Sequence, residues 1–127
     1  MAATPAAAAQ PGEAQVVSFL QSYFTAINNH NYAQYAALLV PSLRPGPDQF
    51  QAGYGSTTDS AATLTGITGT GNGVAATVKF TSHQSPSASL TGTGCNAWHI
   101  TLFLEPRGSG YRIGPAAPGY HARYRAC

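Results

Sequence analysis

Between Glu13 and Asn28 the apolar residues Val16, Val17, Leu20, Tyr23, Phe24 and Ile27 recur at the i, i+3, i+4, i+7 spacing of an amphipathic helix. Pro11 and Gly12 precede the run, Glu13 sits where the helix dipole favours an anion, and Asn28 and Asn29 suit its end. An apolar stripe of this length needs a second layer to bury it. The rest of the chain says what that layer is. Asn31 is placed to cap a second short helix, Tyr32 to Val40, with Tyr32, Tyr35, Ala36 and Leu39 on one face and a stop at Pro41. A third short helix starts at Pro47, carries Phe50 and Tyr54 inward, and ends at Gly53 or Gly55.

After Gly55 the texture changes to Thr, Val, Gly and alternating small residues, which predicts strands. The first spans about Thr58 to Thr68, and a hairpin at Gly69 to Gly73 containing Asn72 leads to a second, Val74 to His83. There Val74, Ala76, Val78 and Phe80 alternate with Ala75, Thr77, Lys79 and Thr81, so one face is buried and the other wet. Ser85 to Gly94 reads as a long flexible loop. A third strand, Asn96 to Glu105, sets Trp98, Ile100, Leu102 and Leu104 on one side and His99 and Thr101 on the other. A turn at Pro106 to Gly110 gives a fourth strand from Tyr111, resuming after Gly114 to Gly119 as Tyr120 to Arg125. The fold class is α+β, with three N-terminal helices and an antiparallel sheet of about four strands.

The 127 residues suffice for one core, and a net charge of +2 with 43% hydrophobic residues excludes disorder. Only 8% of residues are charged, against about 25% in an average soluble domain, which points to secretion. The two cysteines agree with that compartment. Cys95 and Cys127 allow one intramolecular pairing, closing a loop whose entropy is worth roughly 3–4 kcal/mol. Met1 to Gln10, MAATPAAAAQ, lacks the basic and apolar regions of a signal peptide, so residues 1–11 read as an Ala/Pro linker before a single domain spanning 12–127. No apolar run inserts directly into a membrane.

The segment VVSFLQSYFTAINNHNYAQYAALLVPSLR (Val16 to Arg44) followed by WHITLFLEPRGSGYRI (Trp98 to Ile113) resembles the NTF2-like superfamily. More narrowly it is similar to secreted or membrane-anchored actinobacterial domains of that type. The resemblance implies a curved sheet wrapped around the first helix as a cone, standing on the extracytoplasmic face of the cell membrane. In the SnoaL and ketosteroid-isomerase branches the cone holds a pocket in which an Asp or His acts as base beside a Tyr donor.

Of the four acids, Glu13, Asp48 and Glu105 belong to helix starts and a hairpin, leaving Asp59 as the candidate base. The competing reading is a strand-entry Asp satisfied by local hydrogen bonds. Among the histidines, His83 at a strand end beside the long loop is the one placed for general-base chemistry, against an exposed strand-end role. His30 lies in an interhelix turn and His99 on the wet face. The histidines show no metal-ligand spacing, no nucleophile motif is visible, and GITGTGNG (Gly66 to Gly73) precedes a strand rather than the helix a phosphate loop needs. No cofactor is implied. Arg107, Arg112, Arg123 and Arg125, interleaved with Tyr111, Tyr120 and Tyr124, form a late basic strip too weak for nucleic acid.

Two functions follow. The first is a non-catalytic extracytoplasmic module that binds a small ligand or a cell-envelope protein, with Tyr23, Tyr54 and Trp98 lining the pocket and His83 at its rim. The second is a SnoaL- or isomerase-like enzyme using Asp59 or His83 as base. The polar outer face, with Thr77, Lys79, Thr81, His99 and Thr101, leaves room for a weak homodimer only.

Overall fold

Helix α1 runs Glu13–Asn28, the bounds the periodicity predicts, in a computed structural model that describes residues 12–71 and 73–127. The linker expected over residues 1–11 and Asn72 of the first hairpin lie outside the described residues. Gly12 starts the helix from a left-handed conformation, φ 76°, which glycine adopts without a Cβ clash. The buried stripe centres on Val16, Leu20, Tyr23 and Ile27, with Phe19, Phe24 and Ala26 at its borders. Val17 falls about 100° from that centre and is exposed, so it does not join the core as expected.

Asn31 caps α2 (Tyr32–Ala37), its Oδ1 accepting the Gln34 N–H at 3.0 Å. The predicted continuation to Val40 does not form, because the sheet takes the backbone first. The Ile113 N–H donates to the Leu38 carbonyl at 2.7 Å, and the Val40 N–H donates to the Ile113 carbonyl at 2.9 Å. Pro41–Leu43 is a single 3-10 turn, and α3 occupies Pro47–Tyr54, stopping at Gly55.

The sheet contains β1 (Thr58–Gly69), β2 (Val74–His83), β3 (Cys95–Arg107), β4 (Gly110–Ile113) and β5 (Arg123–Ala126). The order is β1-β2-β3-β4, all antiparallel, and β5 pairs with β3 as well. The count agrees with the expected sheet of about four strands, and β5 is the expected resumption of the fourth strand, formed as a separate short strand. The cause is length: β3 has 13 residues and β4 only 4, so half of one β3 edge stays open for another strand. Backbone accounting along that edge is nearly continuous. β4 covers Leu104 to Arg107, and Gly114 N–H donates to the Phe103 carbonyl at 2.8 Å. The Tyr120 hydroxyl accepts the Thr101 N–H at 2.6 Å, and β5 covers Asn96 to His99. The Cys95–Cys127 disulfide, with its Cα atoms 5.4 Å apart, pins the end. That bond fulfils the pairing read from the sequence.

Strand alternation holds on β2 and β3, where Val74, Ala76, Val78, Leu102 and Leu104 are buried against α1. On β1 it fails, since register shifts between Ser60 and Thr63 and between Leu64 and Gly66 interrupt the pleat. Phe24 meets Phe80 edge-on at 5.0 Å and Tyr35 meets Phe50 at 5.0 Å, which knits the helices to each other and to the inner face. The outer face carries Thr77 opposite Thr101 and Lys79 opposite His99. Gly73 is required where β2 begins, because a Cβ there would run into the Leu104 carbonyl.

Candidate functional site

A row of three residues one step inside the open end of the sheet positions the chemistry. Asp59 on β1 faces Ser82 on β2, which faces Asn96 on β3. All three are buried, at 7%, 4% and 1% exposure, so the inner face ends in a polar row. The next row is aromatic: Phe80 and Trp98 lie opposite each other with nearly parallel rings 6.1 Å apart, and Tyr124 follows 4.8 Å from Trp98.

Buried polar atoms are expected to be paired, and most of this row is. Ser82 Oγ accepts the Trp98 Nε1–H at 2.8 Å. Asn96 donates through Nδ2 to Ser89 Oγ at 2.8 Å and accepts the Thr91 hydroxyl. Those two bonds tie down residues 85–94, read from composition as a flexible loop; a 3-10 turn at Pro86–Ala88 adds to its order. The Asp59 backbone is clamped by one side chain, since Asn28 Oδ1 accepts its N–H at 2.7 Å and Asn28 Nδ2 donates to its carbonyl at 3.0 Å. The Asp59 side chain is the exception. Its Oδ1 is buried without a hydrogen-bond partner among the described residues. The other such atom, Arg112 Nε, has a counter-charge in Glu105 4.0 Å away; Asp59 has none among the described residues.

Asp59 lies on the wall of a cavity of about 310 Å³, within the range of small-molecule sites. Tyr23, Ile27, Phe80, Trp98, Ile100 and Leu102 make its walls largely apolar. The exposed residues Ala88, Leu90 and Ala122 mark its mouth, and Leu90 is 71% exposed there. Burial pushes the Asp59 carboxyl up to about 7. Burial also raises the Tyr23 phenol well above its ordinary value, helped by Tyr54, Tyr35 and Asp59 nearby. Tyr35, whose hydroxyl lies 3.5 Å from that of Tyr54, is raised by burial and by Tyr54.

Four of the expected site residues, Asp59, Tyr23, Tyr54 and Trp98, line this one cavity. His83 does not: it ends β2 exposed, opposite Thr58, and its neighbour Gln84 lines the cavity instead. Alternation explains this, because Ser82 takes the inward position. Ser82 and Asn96 also line it, though the sequence did not single them out, and so does Tyr120, expected in the basic strip rather than in a pocket. The inward parity of Trp98 was the available signal for Asn96 and Ser82; for Tyr120 there was none. Asp59 does not have the locally satisfied carboxyl of a strand-entry aspartate. His30 is held rather than free, its Nε2 lying 2.9 Å from the Thr57 carbonyl, and it adopts φ 54°. The late arginines divide: Arg107 reaches the Ala37 carbonyl, Arg112 faces Glu105, and Arg123 and Arg125 lie on β5. No cluster of three metal-ligating side chains occurs among the described residues, and none of their helices is long and apolar enough to cross a membrane.

Comparison of the chain with models of known protein families, with curated proteins and with solved structures finds no match.

Proposed function

We propose that this chain is an extracytoplasmic domain of NTF2-like type that binds a small, largely apolar molecule in the cavity between α1 and the inner face of the sheet. The observation that carries the reading is the cavity itself, about 310 Å³ of apolar wall with one unpartnered carboxyl in it. Such a combination of apolar surface and few convergent polar groups is the usual make-up of a ligand site. Three helices preceding a meander of antiparallel strands support the family reading. The disulfide supports a location outside the reducing cytosol.

A second reading, proton-transfer catalysis in the same cavity, is favoured by one observation. A carboxyl held near pH 7 is suited to exchange protons at neutral pH, and Tyr23 and Tyr54 stand in the same lining as donors. Binding is common to both readings and is tested first. Trp98 is the chain's single tryptophan and lines the cavity, so its emission reports occupancy. Aromatic compounds of one or two rings are expected to shift that emission saturably, and Ala122→Phe at the mouth is expected to weaken the effect at least tenfold. If no compound shifts it, or if the variant responds like the wild type, the ligand-site reading fails.

A further inference from the structure

The cavity lining is chemically one-sided. Among its polar side chains, Ser82, Asn96, Thr57 and Gln84 already have partners: Trp98, the Ser89–Thr91 pair, the Gly53 carbonyl and the Thr93 carbonyl respectively. Among the described residues Asp59 is the only carboxyl in the lining, and no Lys, Arg or His lines it. The remaining ionisable groups facing the cavity are the phenols of Tyr23 from α1, Tyr54 from α3 and Tyr120 from the segment before β5. His30 is not in the lining; its Nε2 lies 2.9 Å from the backbone carbonyl of Thr57, which is.

Carboxylates, phosphates and sulfates would meet Asp59 with no compensating cation, so the site rejects them. An alcohol offers Asp59 a hydrogen bond but no charge. An ammonium group offers both, and Tyr23, Phe80 and Trp98 put aromatic rings in the same lining. We propose that the ligand is a protonated amine on an apolar body, with Asp59 as its counter-ion and the aromatic walls of the cavity around it. This inference rests on the cavity being a ligand site.

The pH dependence separates an amine from its main rival, a neutral carbonyl compound accepting a hydrogen bond from protonated Asp59. An amine needs the carboxylate, so its affinity rises with pH up to the Asp59 titration near 7 and levels off above it. A carbonyl ligand needs the acid and behaves in the opposite sense.

The test uses the oxidised chain and three matched probes, 3-phenylpropylamine, 3-phenylpropan-1-ol and 4-phenylbutan-2-one, titrated by calorimetry and Trp98 emission between pH 5 and 8.5. The amine is expected to bind at least tenfold more tightly than the alcohol at pH 8.5. Its affinity is expected to fall about tenfold per pH unit below the Asp59 titration. Asp59→Asn is expected to remove both the preference and the pH dependence while leaving alcohol binding in place. The wild-type pH profile stands alone as a test if that variant folds poorly. Equal binding of amine and alcohol, an amine preference that survives in Asp59→Asn, or tightest binding by the ketone at low pH would overturn the inference and leave the ligand site standing. Failure of all three probes to move Trp98 at any pH would overturn both.

Discussion

Replacing Asp59 with Asn removes one ionisation from the cavity and nearly preserves shape, so its effect on stability isolates the cost of a buried, unpartnered carboxylate. In the folded chain the carboxyl titrates at about 7, and in the unfolded chain at about 3.9. The raised value means that the native state holds the proton more tightly. The resulting stabilisation is fully present below about pH 4 and is lost as pH rises through 7. About three pH units at about 1.4 kcal/mol each set an upper bound of about 4 kcal/mol. Water reaching the carboxyl through the cavity mouth lowers this, so about 2–4 kcal/mol is the working figure. Asp59→Asn has no such loss. Its advantage over the wild type is expected to grow from within about 1 kcal/mol at pH 4 to about 2–4 kcal/mol at pH 8. Urea unfolding of both proteins at intervals of one pH unit measures this, and subtraction cancels the contribution of the four histidines. Parallel stability curves, or a variant less stable than the wild type at pH 8, would refute the account of Asp59 as buried and unpaired.

Three further outcomes are expected. Asn28→Ala removes both hydrogen bonds that hold the Asp59 backbone and should cost about 1–3 kcal/mol in urea unfolding, with weaker ligand-induced change in Trp98 emission. Ala61 adopts φ 55° on β1 between the register-shifted positions, so Ala61→Gly should stabilise the domain by about 0.5–1 kcal/mol, read as a higher urea midpoint at unchanged slope. Replacing Cys95 and Cys127 with Ala frees β5 and should cost roughly 3–4 kcal/mol; if unfolding under reducing and oxidising conditions proves identical in the wild type, the disulfide has no stabilising role.

Periodicity together with the end signals at Gly12, Glu13 and Asn28 determined α1, because a stripe of large apolar side chains at helical spacing has one way to be buried. It determined the facing of β2 and β3 for the same reason at period 2, and two cysteines in a chain with no others left a single disulfide to form. Tyr23, Tyr54 and Trp98 were legible as cavity residues because they are inward aromatic positions on elements that were themselves legible. The boundary of α2 was not, since Leu38 and Val40 give their backbone groups to Ile113, more than seventy residues away. The return of strand within Tyr120 to Arg125 was legible, but its standing as a separate strand depends on the mismatch in length between β3 and β4. Asp59 shows the division most clearly. As a sequence letter it is an aspartate at a strand entry, where local hydrogen bonds ordinarily satisfy its side chain. Only the tertiary fold sets it in register with Ser82, gives its backbone to Asn28, and assigns Ser82 and Asn96 to other partners. Its carboxyl is left in an apolar cavity, and that environment determines its proton affinity.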